Sequence, residues 1–224
     1  MENLKRFIFE RELKYLLANN EHPLITEEIV ESLEKCGYTM TREVKERWKF
    51  EEYFDDANFS LLKNGDILRR TRHIWFDSDV LTKPLFTYKE NKSIDEQPYA
   101  TRLEHKYDNI SDLQEFANIV KLYCTPDEKA KLTLEMKRRG ALIKLDKEEF
   151  LITHDLTTYT NPKSKKTYTE SMIEVEDRVD MENQSPPYDH HLRRINNEIL
   201  NIGLPIKLTK ENKYERGGKA LLTF

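Results

Sequence analysis

Three charged residues near the N-terminus occur at alternate positions of a segment that resembles a β-strand: Glu10, Glu12 and Lys14. Alternate side chains of a strand lie on one face, so these two carboxylates and one ammonium group would point the same way. Phe9 and Leu13 would lie on the opposite face. Carboxylate oxygens bind hard divalent metal ions, and an ammonium group binds anions such as phosphate. The pattern indicates a site that holds a metal ion beside a polyanion.

A second acidic pair, Glu174 and Glu176, has the same alternate spacing near the other end of the chain. Predicted strands between the two pairs carry further charged residues at alternate positions. The candidate interior acids among them are Glu104 and Asp155, and the candidate interior bases are Arg70, Arg72, Lys89, Arg102, Lys137 and Arg139. Taken alone, each pair is more typical of a solvated strand face, because polar residues alternate in many half-buried sheets.

Composition narrows the class of protein. The chain has 224 residues and a net charge of −4, which argues against non-specific nucleic-acid binding because that needs a basic surface. It contains two cysteines, Cys36 and Cys124, without metal-ligand spacing, as is typical of a reducing cytoplasm. No apolar run reaches the roughly 18 residues of a membrane span, and charged residues interrupt the N-terminus where a signal peptide would be apolar. We therefore expect a cytoplasmic protein.

Hydrophobic periodicity predicts eight or more strands and about three helices. The helices are expected after Thr26, after Ser111 and from Asp189 to Gly203. Most strands follow one another directly, which favours antiparallel pairing. The predicted strands span about 5–16, 46–54, 66–75, 85–91, 99–107, 131–139, 142–146, 150–155, 167–179 and 206–208.

Segregated charge on one face of these strands, with apolar residues on the other, predicts a closed barrel with a charged lumen. The expected fold class is α+β, mainly antiparallel β, with an eight-stranded β-tunnel and helices packed on its outside. We expect residues 1–224 to form one domain, with the C-terminal helix and tail, about 189–224, closing or flanking the tunnel. The bases Arg72 and Arg139 should face the lumen, and their exposure to bulk water would contradict this arrangement.

The ordered set of charged motifs resembles the CYTH domain of the triphosphate tunnel metalloenzyme superfamily. The first motif is Glu10-x-Glu12-x-Lys14, and the terminal motif is Asn212-Lys213-Tyr214, where Asn212 replaces a residue that is usually Ser in the family. The intervening matches are Leu68-Arg69-Arg70-Thr71-Arg72, Lys89, Arg102-x-Glu104, Lys137-x-Arg139, Asp155 and Glu174-x-Glu176. The opening motif also resembles the related VTC-type polyphosphate polymerase domain.

This resemblance implies a tunnel that binds a triphosphate end-on together with Mg²⁺ or Mn²⁺. It implies metal ligation by Glu10, Glu12, Glu174 and Glu176. It implies phosphate binding by Lys14, Arg70, Arg72, Lys89, Arg102, Lys137, Arg139 and Lys213. The implied catalytic group is Glu10, Glu12, Lys14, Glu104 and Asp155, of which Glu104 and Asp155 would orient basic side chains or the attacking water.

The implied activity is metal-dependent cleavage of the terminal phosphoanhydride of a triphosphate, with inorganic tripolyphosphate as the first choice. The alternatives are a nucleoside, thiamine or RNA 5′-triphosphatase, a class IV-type adenylyl cyclase, a polyphosphate polymerase and a non-catalytic polyphosphate-binding module. The expected partner is a triphosphate-containing small molecule or polyphosphate. No membrane partner is expected, and no nucleic acid apart from an RNA 5′-triphosphate end. A homodimer is compatible with the sequence.

Overall fold

The computed structural model describes residues 5–18, 25–75, 80–92, 98–107, 110, 112–146, 148–180 and 189–222. Its helices are α1 (Ile25–Lys35), α2 (Ser60–Asn64), α3 (Leu113–Ile119), α4 (Asp189–Asn201) and α5 (Lys213–Leu221). Its strands are β1 (Lys5–Leu17), β2 (Thr39–Phe54), β3 (Ile67–Trp75), β4 (Leu85–Asn91), β5 (Ala100–Tyr107), β6 (Leu132–Leu145), β7 (Glu148–Thr160), β8 (Thr167–Asp180) and β9 (Ile206–Thr209). None of the helices in these ranges combines the length and the apolar character that crossing a bilayer requires.

Eight strands form a closed antiparallel barrel. The strand order is β5-β4-β3-β2-β6-β7-β8-β1, and β1 closes the ring by pairing with β5 as well as with β8. The short strand β9 pairs with the end of β1, beyond the part that contacts β5. Closure leaves no unpaired edge along the ring and gives every strand an inner and an outer face. The predicted eight-stranded tunnel with helices outside is confirmed.

The main hydrophobic core lies outside the barrel, between the strands and two helices. Leu13 and Tyr15 of β1 point outward and are completely buried beneath helices α1 and α4. Leu33 of α1 and Ile195 of α4 belong to the same cluster. Because these outward positions alternate with Glu10, Glu12 and Lys14, burying the apolar face fixes the charged face toward the lumen. A second outer cluster, around Phe86 and Phe116, packs α3 against β3, β4 and β5.

Helix α5 lies across one end of the barrel. Tyr214 stacks on Tyr53 of β2 with ring centroids 5.2 Å apart. Arg216 pairs with Glu170 near the start of β8, with Nη2 and Oε2 2.6 Å apart. Gly217 lies so close to Tyr159 of β7 that an added Cβ would come within 2.4 Å of its ring. These contacts join α5 to strand ends on the same side of the ring, so the helix covers that end of the lumen.

Several predicted boundaries were wrong. The two strands expected around 131–139 and 142–146 are one continuous strand, β6. Gly140, in the gap left between these two predicted strands, allows a close strand approach, because a Cβ there would lie 2.1 Å from the carbonyl oxygen of Ile152. Strand β2 begins at Thr39 rather than near residue 46. Helices α2 and α5 were not predicted at all. Ser111 lies outside the described residues.

Candidate functional site

The lumen holds a pocket lined almost entirely by charged side chains. Its six cationic residues are Lys14, Lys49, Arg69, Lys89, Arg138 and Lys213. Its four acidic residues, which we call the front carboxylates, are Glu10, Glu12, Glu174 and Glu176. Tyr53, Ile67 and Asn212 complete the lining. All ten charged side chains except Arg69 are buried, so the pocket is a desolvated cluster of opposite charges with an excess of cations.

The front carboxylates come from β1 and β8, which are neighbouring strands. In the register of this pair, Glu12 lies opposite Glu176 and Lys14 lies opposite Glu174. The side chains of Glu10 and Glu176 are in hydrogen-bonding contact with each other. Burial alone would raise the pKa of Glu10, but the adjacent Lys89 ammonium and the hydrogen bonds outweigh it and lower the pKa to about 2. The carboxylate is therefore ionised at neutral pH.

Three of the front carboxylates bind lumen cations. Glu10 pairs with Lys89, and Glu12 pairs with Lys14 at 2.6 Å. Arg102 also donates to Glu12 from β5. Glu174 bridges two cations, accepting from Lys213 at 2.5 Å and from Arg138 at 2.6 Å. In the ligand-free tunnel the acids and bases thus neutralise each other, as buried charges must.

Three more buried carboxylates lie behind the cations without lining the pocket. We call them the backing carboxylates: Glu51, Glu104 and Asp155. Asp155 accepts from Arg138 Nε at 2.6 Å and lies 3.0 Å from Lys213 Nζ. Glu104 lies 3.5 Å from Lys89 Nζ. These contacts hold each cation from the side away from the pocket, which limits the positions its charged group can adopt.

Glu51 of β2 contacts two pocket cations and one tyrosine. It lies 2.6 Å from Lys49 Nζ and 3.0 Å from Arg69 Nη1, and it accepts a hydrogen bond from the Tyr53 hydroxyl at 2.5 Å. Burial on its own would raise its pKa, yet Arg69 and Lys49 hold the pKa well below its usual range. Glu51 therefore remains a buried anion that orders two pocket cations.

Two of the pocket lysines have a lowered pKa. Burial, reinforced by the nearby Arg102 charge, lowers the pKa of Lys14 to about 8, although Glu12 opposes the shift. Burial lowers the pKa of Lys49 to about 7, although Glu51 opposes the shift. Both amines therefore change their charge near physiological pH, unlike an exposed lysine.

Helix α5 supplies Lys213 to the pocket from its first turn. The Asn212 side chain accepts from the Glu215 backbone N–H at 2.8 Å, and the Glu215 side chain accepts from the Asn212 N–H at 2.7 Å. This reciprocal capping box fixes the start of the helix, where Lys213 is the first helical residue. Asn and Ser are both good N-cap residues, so Asn212 does here what Ser does in the family motif.

Four expected phosphate-binding residues do not face the lumen. Arg70 pairs with Glu52 on the outside of the barrel, with Nε and Oε2 2.6 Å apart, and Arg72 lines an external groove. Lys137 lies 2.9 Å from Glu46, and Arg139 lies 3.2 Å from Glu27 of α1. The expected inward orientation of Arg70, Arg72, Lys137 and Arg139 was wrong.

The prediction assigned the wrong face of β3 and of β6 to the lumen, so the inward arginines lie one residue away from the expected ones. Leu68 shares its face with Arg70, and it is buried in the outer cluster beneath α3. In β3 the inward residue is instead Arg69, and in β6 it is Arg138. The requirement that Arg72 and Arg139 face the lumen therefore fails, while their strands still supply one arginine each through the neighbouring positions.

The other sequence-predicted residues converge. Glu10, Glu12, Lys14, Lys89, Glu174, Glu176 and Lys213 line the pocket, and Arg102, Glu104 and Asp155 are buried in the charged network around it. Sequence reasoning missed Lys49, Glu51, Tyr53, Arg69 and Arg138 as lumen residues. For Lys49, Glu51 and Tyr53 the available signal was their own period-two spacing in β2, which repeats the spacing of Glu10, Glu12 and Lys14.

The front carboxylates have the donor chemistry of a site for a hard divalent cation, since all their donors are carboxylate oxygens. The contact between Glu10 and Glu176 brings two such groups together. Within the described ranges, however, no three His, Cys, Asp or Glu side chains converge tightly enough to hold a metal ion. The donors fit such an ion chemically, but lumen lysines and arginines hold three of them.

Comparisons with known proteins were made at the level of sequence and of structure. No family model and no curated protein matches the chain. Among solved structures, the PH1819 protein from Pyrococcus horikoshii OT3 matches with a TM-score of 0.55 and 18% identity, over 94% of this chain and 99% of that chain. The Hippeastrum protein HpAC1, described as a putative adenylyl cyclase with a dominant triphosphatase activity, matches with a TM-score of 0.50 and 14% identity, over 93% and 96%.

At these identities the likeness concerns the fold. The matches span almost the whole of both chains, so the similarity extends over the fold and is not confined to one segment. The fold implied by the resemblance of the charged motifs is confirmed at this level.

Proposed function

We propose that this chain is a divalent-metal-dependent hydrolase that cleaves the terminal phosphoanhydride bond of a triphosphate, with inorganic tripolyphosphate as the substrate to test first. The observation that carries the proposal is the pocket of six cations and four front carboxylates inside the closed barrel. The fold shared with a Hippeastrum protein described as having triphosphatase activity supports it.

The six cations that line the pocket favour a multiply charged linear anion. A tripolyphosphate carries about four negative charges near neutral pH, and Arg and Lys both bind phosphate oxygens through charge-assisted hydrogen bonds. The cations come from five strands of the ring, β1, β2, β3, β4 and β6, and from α5, so they do not form one flat patch. A ligand that touches most of them must be extended along the lumen, as a chain of phosphates is.

The covered end of the barrel favours entry of the anion from the opposite end. Helix α5 closes one end, and Lys213 reaches the pocket from that end. A triphosphate that enters from the other side would place its terminal phosphate deepest. In this arrangement cleavage occurs at the end of the phosphate chain rather than at an internal bond.

The front carboxylates would hold Mg²⁺ or Mn²⁺ through Glu10, Glu12, Glu174 and Glu176. Such an ion supplies charge neutralisation at phosphate oxygens and lowers the pKa of a water nucleophile. To free these carboxylates, Lys89, Lys14 and Lys213 must shift their hydrogen bonds from carboxylate to phosphate oxygens. Arg102 and Arg138 must likewise release Glu12 and Glu174. The cations and the front carboxylates thus exchange partners when the substrate enters.

The backing carboxylates have a different role in this mechanism. Asp155 and Glu104 lie behind the cations, so they can keep their contacts while the charged groups turn toward phosphate. Phosphoryl transfer depends mainly on positioning and on stabilising charge at the peripheral and leaving oxygens. Glu104 and Asp155 therefore serve to orient basic side chains, and a direct contact with the attacking water is not needed.

The test is phosphate release from tripolyphosphate with Mg²⁺ or Mn²⁺, with and without EDTA. ATP, thiamine triphosphate, triphosphorylated RNA and polyphosphate should be compared in the same assay. Glu174→Gln should abolish most turnover, while Glu211→Gln, a matched change on the segment before α5, should not. Full activity in EDTA would contradict metal dependence. Tight binding of tripolyphosphate without turnover under any divalent ion would identify a binding module instead.

We further propose that residues 1–224 act as one unit and that the protein works in the cytoplasm. Lys213 of the C-terminal helix completes a pocket otherwise built from strands, which supports a single functional unit. Both described cysteines, Cys36 and Cys124, are free thiols, as expected in a reducing compartment.

A further inference from the structure

We propose that Glu51 is a positioning residue of the phosphate site and that Lys49, which it holds, is a phosphate-binding residue. Neither residue belongs to the charged motifs that indicated the site. The inference rests on the proposed function in so far as the pocket is taken to bind a triphosphate. It does not depend on whether that triphosphate is then hydrolysed.

The backbone of β2 places both residues in the lumen. Lys49, Glu51 and Tyr53 alternate along the strand, and the intervening residues face outward. Lys49 lies opposite His73 of β3 and Met136 of β6, so both neighbouring strands fix its position. Lys49 lines the pocket, whereas Glu51 does not. A phosphate in the pocket can therefore contact Lys49 while Glu51 stays behind it.

The Glu51 carboxylate is held in one position by burial and by its contacts. It is only 1% exposed, and it accepts from the Tyr53 hydroxyl at 2.5 Å. Its contacts with Lys49 at 2.6 Å and Arg69 at 3.0 Å come from two different strands. One carboxylate thus orders two cations that line the pocket opposite the front carboxylates. Neither of these two cations makes an ion pair with a front carboxylate among the described residues.

The charges around Lys49 make its own charge depend on Glu51. Burial, together with the positive charges of Arg69 on β3 and Arg138 on β6, lowers the pKa of Lys49 to about 7, and Glu51 opposes this shift. His73, which faces Lys49 from β3, adds no charge at neutral pH, because burial and the nearby cations lower its pKa to about 3. Glu51 is therefore the group that keeps Lys49 protonated between two arginines.

The charge of Lys49 makes triphosphate binding depend on pH. A lysine binds phosphate as a cation, so above its pKa in the ligand-free protein each binding event must also take up a proton, and the affinity falls by up to about tenfold for each pH unit. Without the Glu51 carboxylate, the pKa of Lys49 would fall below 7, and this loss of affinity would begin at a lower pH. Removing Glu51 should weaken triphosphate binding more at alkaline than at acidic pH. Arginine at position 49 would stay charged throughout and would not need Glu51 for its charge.

The experiment measures tripolyphosphate binding by calorimetry in EDTA, so that no turnover occurs, at about pH 6 and about pH 8.5. The variants are Glu51→Gln, Lys49→Arg and the double variant, each compared with the unaltered protein. Glu135→Gln on the exposed outer face of β6 is the matched control. Because titration of the ligand and of Lys14 is common to all variants, only affinity ratios at the same pH are interpreted.

At acidic pH, we expect the tripolyphosphate affinity of Glu51→Gln to lie within about threefold of that of the unaltered protein. At alkaline pH, its affinity should be roughly tenfold or more weaker, as a decrease of about one unit in the pKa of Lys49 predicts. In the double variant most of the alkaline loss should be recovered. An equal loss at both pH values, with no recovery in the double variant, would overturn the proposal and leave Glu51 a merely structural residue.

Two further outcomes keep the test decisive. Should Glu51→Gln fail to fold, Lys49→Arg alone must bind more tightly than the unaltered protein at alkaline pH relative to acidic pH, and an unchanged ratio would overturn the proposal. If the binding results hold but no divalent ion supports turnover, the proposed hydrolysis fails while the role of Glu51 stands. Absence of tripolyphosphate binding by the unaltered protein would defeat both.

Discussion

Arg138 and Arg139 are adjacent in β6, yet they lie on opposite sides of the barrel wall. Arg138 is buried in the lumen, where it donates to Asp155 and to Glu174. Arg139 lies outside, 3.2 Å from Glu27 of α1. The pair thus offers two arginines that are adjacent in the sequence, of which only Arg138 lines the pocket. Arg69 and Arg70 of β3 repeat this relationship.

The first prediction uses this adjacent pair. Arg138→Ala should weaken tripolyphosphate binding by roughly 10- to 100-fold, because a charge-assisted hydrogen bond contributes about 1.5–3 kcal/mol. Arg139→Ala should change binding by less than about threefold, since an exposed ion pair contributes at most about 1 kcal/mol. Calorimetric titration of both variants measures the difference. Similar losses in the two variants would mean that binding occurs outside the lumen.

Much of the site could be predicted because two strands have unambiguous faces. In β1 and β8 one face is mainly apolar, as at Leu13 and Val175, which pack beneath α1 and α4. The charged residues on this face, Arg11 and Asp177, pair with each other. The alternate positions must then face inward, which gave the correct placement of Glu10, Glu12, Glu174 and Glu176. Burial of one face by helices therefore made the sequence pattern decisive in these strands.

The same reasoning fails for β3 and β6, where both faces carry arginine. Leu68 shares a face with Arg70 and packs outside the barrel, whereas Met136 shares a face with Arg138 and packs inside, in the cluster with Tyr214 of α5. An apolar residue on the same face as an arginine therefore lies outside the barrel in β3 but inside it in β6. Only the tertiary position of α5 settles the choice. The sequence of α5 itself hides that helix, because Gly217-Gly218 disfavours helix formation.

The second prediction concerns coupling between metal and triphosphate. Lys89, Lys14 and Lys213 hold the front carboxylates Glu10, Glu12 and Glu174 in the ligand-free tunnel. Mn²⁺ should therefore bind weakly alone and at least roughly tenfold more tightly once a non-hydrolysable imido analogue of tripolyphosphate has drawn the lysines away. By linkage, the analogue should gain the same factor from Mn²⁺.

This coupling can be measured by titrating the analogue in the presence and absence of Mn²⁺. The titration of Mn²⁺ into the analogue without protein must be subtracted, because phosphates bind the ion themselves. Glu176→Gln should reduce the coupling, while Glu135→Gln on the outer face of β6 should leave it unchanged. Equal Mn²⁺ affinity of the ligand-free and the loaded protein would contradict the exchange of partners.

The third prediction concerns stability in acid. The pKa of Glu10 in the folded protein is lowered from 4.5 to about 2. A carboxylate with a lowered pKa contributes stability that is fully present above its unfolded value and is lost as the pH falls through its folded value. For Glu10 alone this is on the order of 3 kcal/mol between about pH 5 and pH 2. Lowered pKa values at Glu51 and Glu174 act in the same direction.

Urea unfolding at a series of acidic pH values gives the free energy of unfolding directly. The unaltered protein should lose stability steeply below about pH 4.5, and Glu10→Gln should decline less steeply because one titrating group is gone. Parallel curves for the two proteins would show that folding does not lower the pKa of Glu10.

The fourth prediction concerns the covered end of the tunnel. An added Cβ at Gly217 would lie 2.4 Å from Tyr159 and 2.5 Å from Leu132, whereas one at Gly218 would lie 3.0 Å from Leu62 at the nearest. Alanine normally stabilises a helix by roughly 1 kcal/mol relative to glycine. At position 217 overpacking should reverse the sign and destabilise the protein by about 1–3 kcal/mol.

Displacement of α5 by Gly217→Ala should also move Lys213, the first residue of that helix, away from Asp155 and Glu174. Tripolyphosphate affinity should then fall by roughly tenfold or more, while Gly218→Ala, with its milder contact, should show a smaller loss of both stability and affinity. Thermal unfolding and calorimetric titration of the two variants test this order. A Gly217→Ala variant with unchanged affinity would show that α5 does not set the position of Lys213 in the pocket.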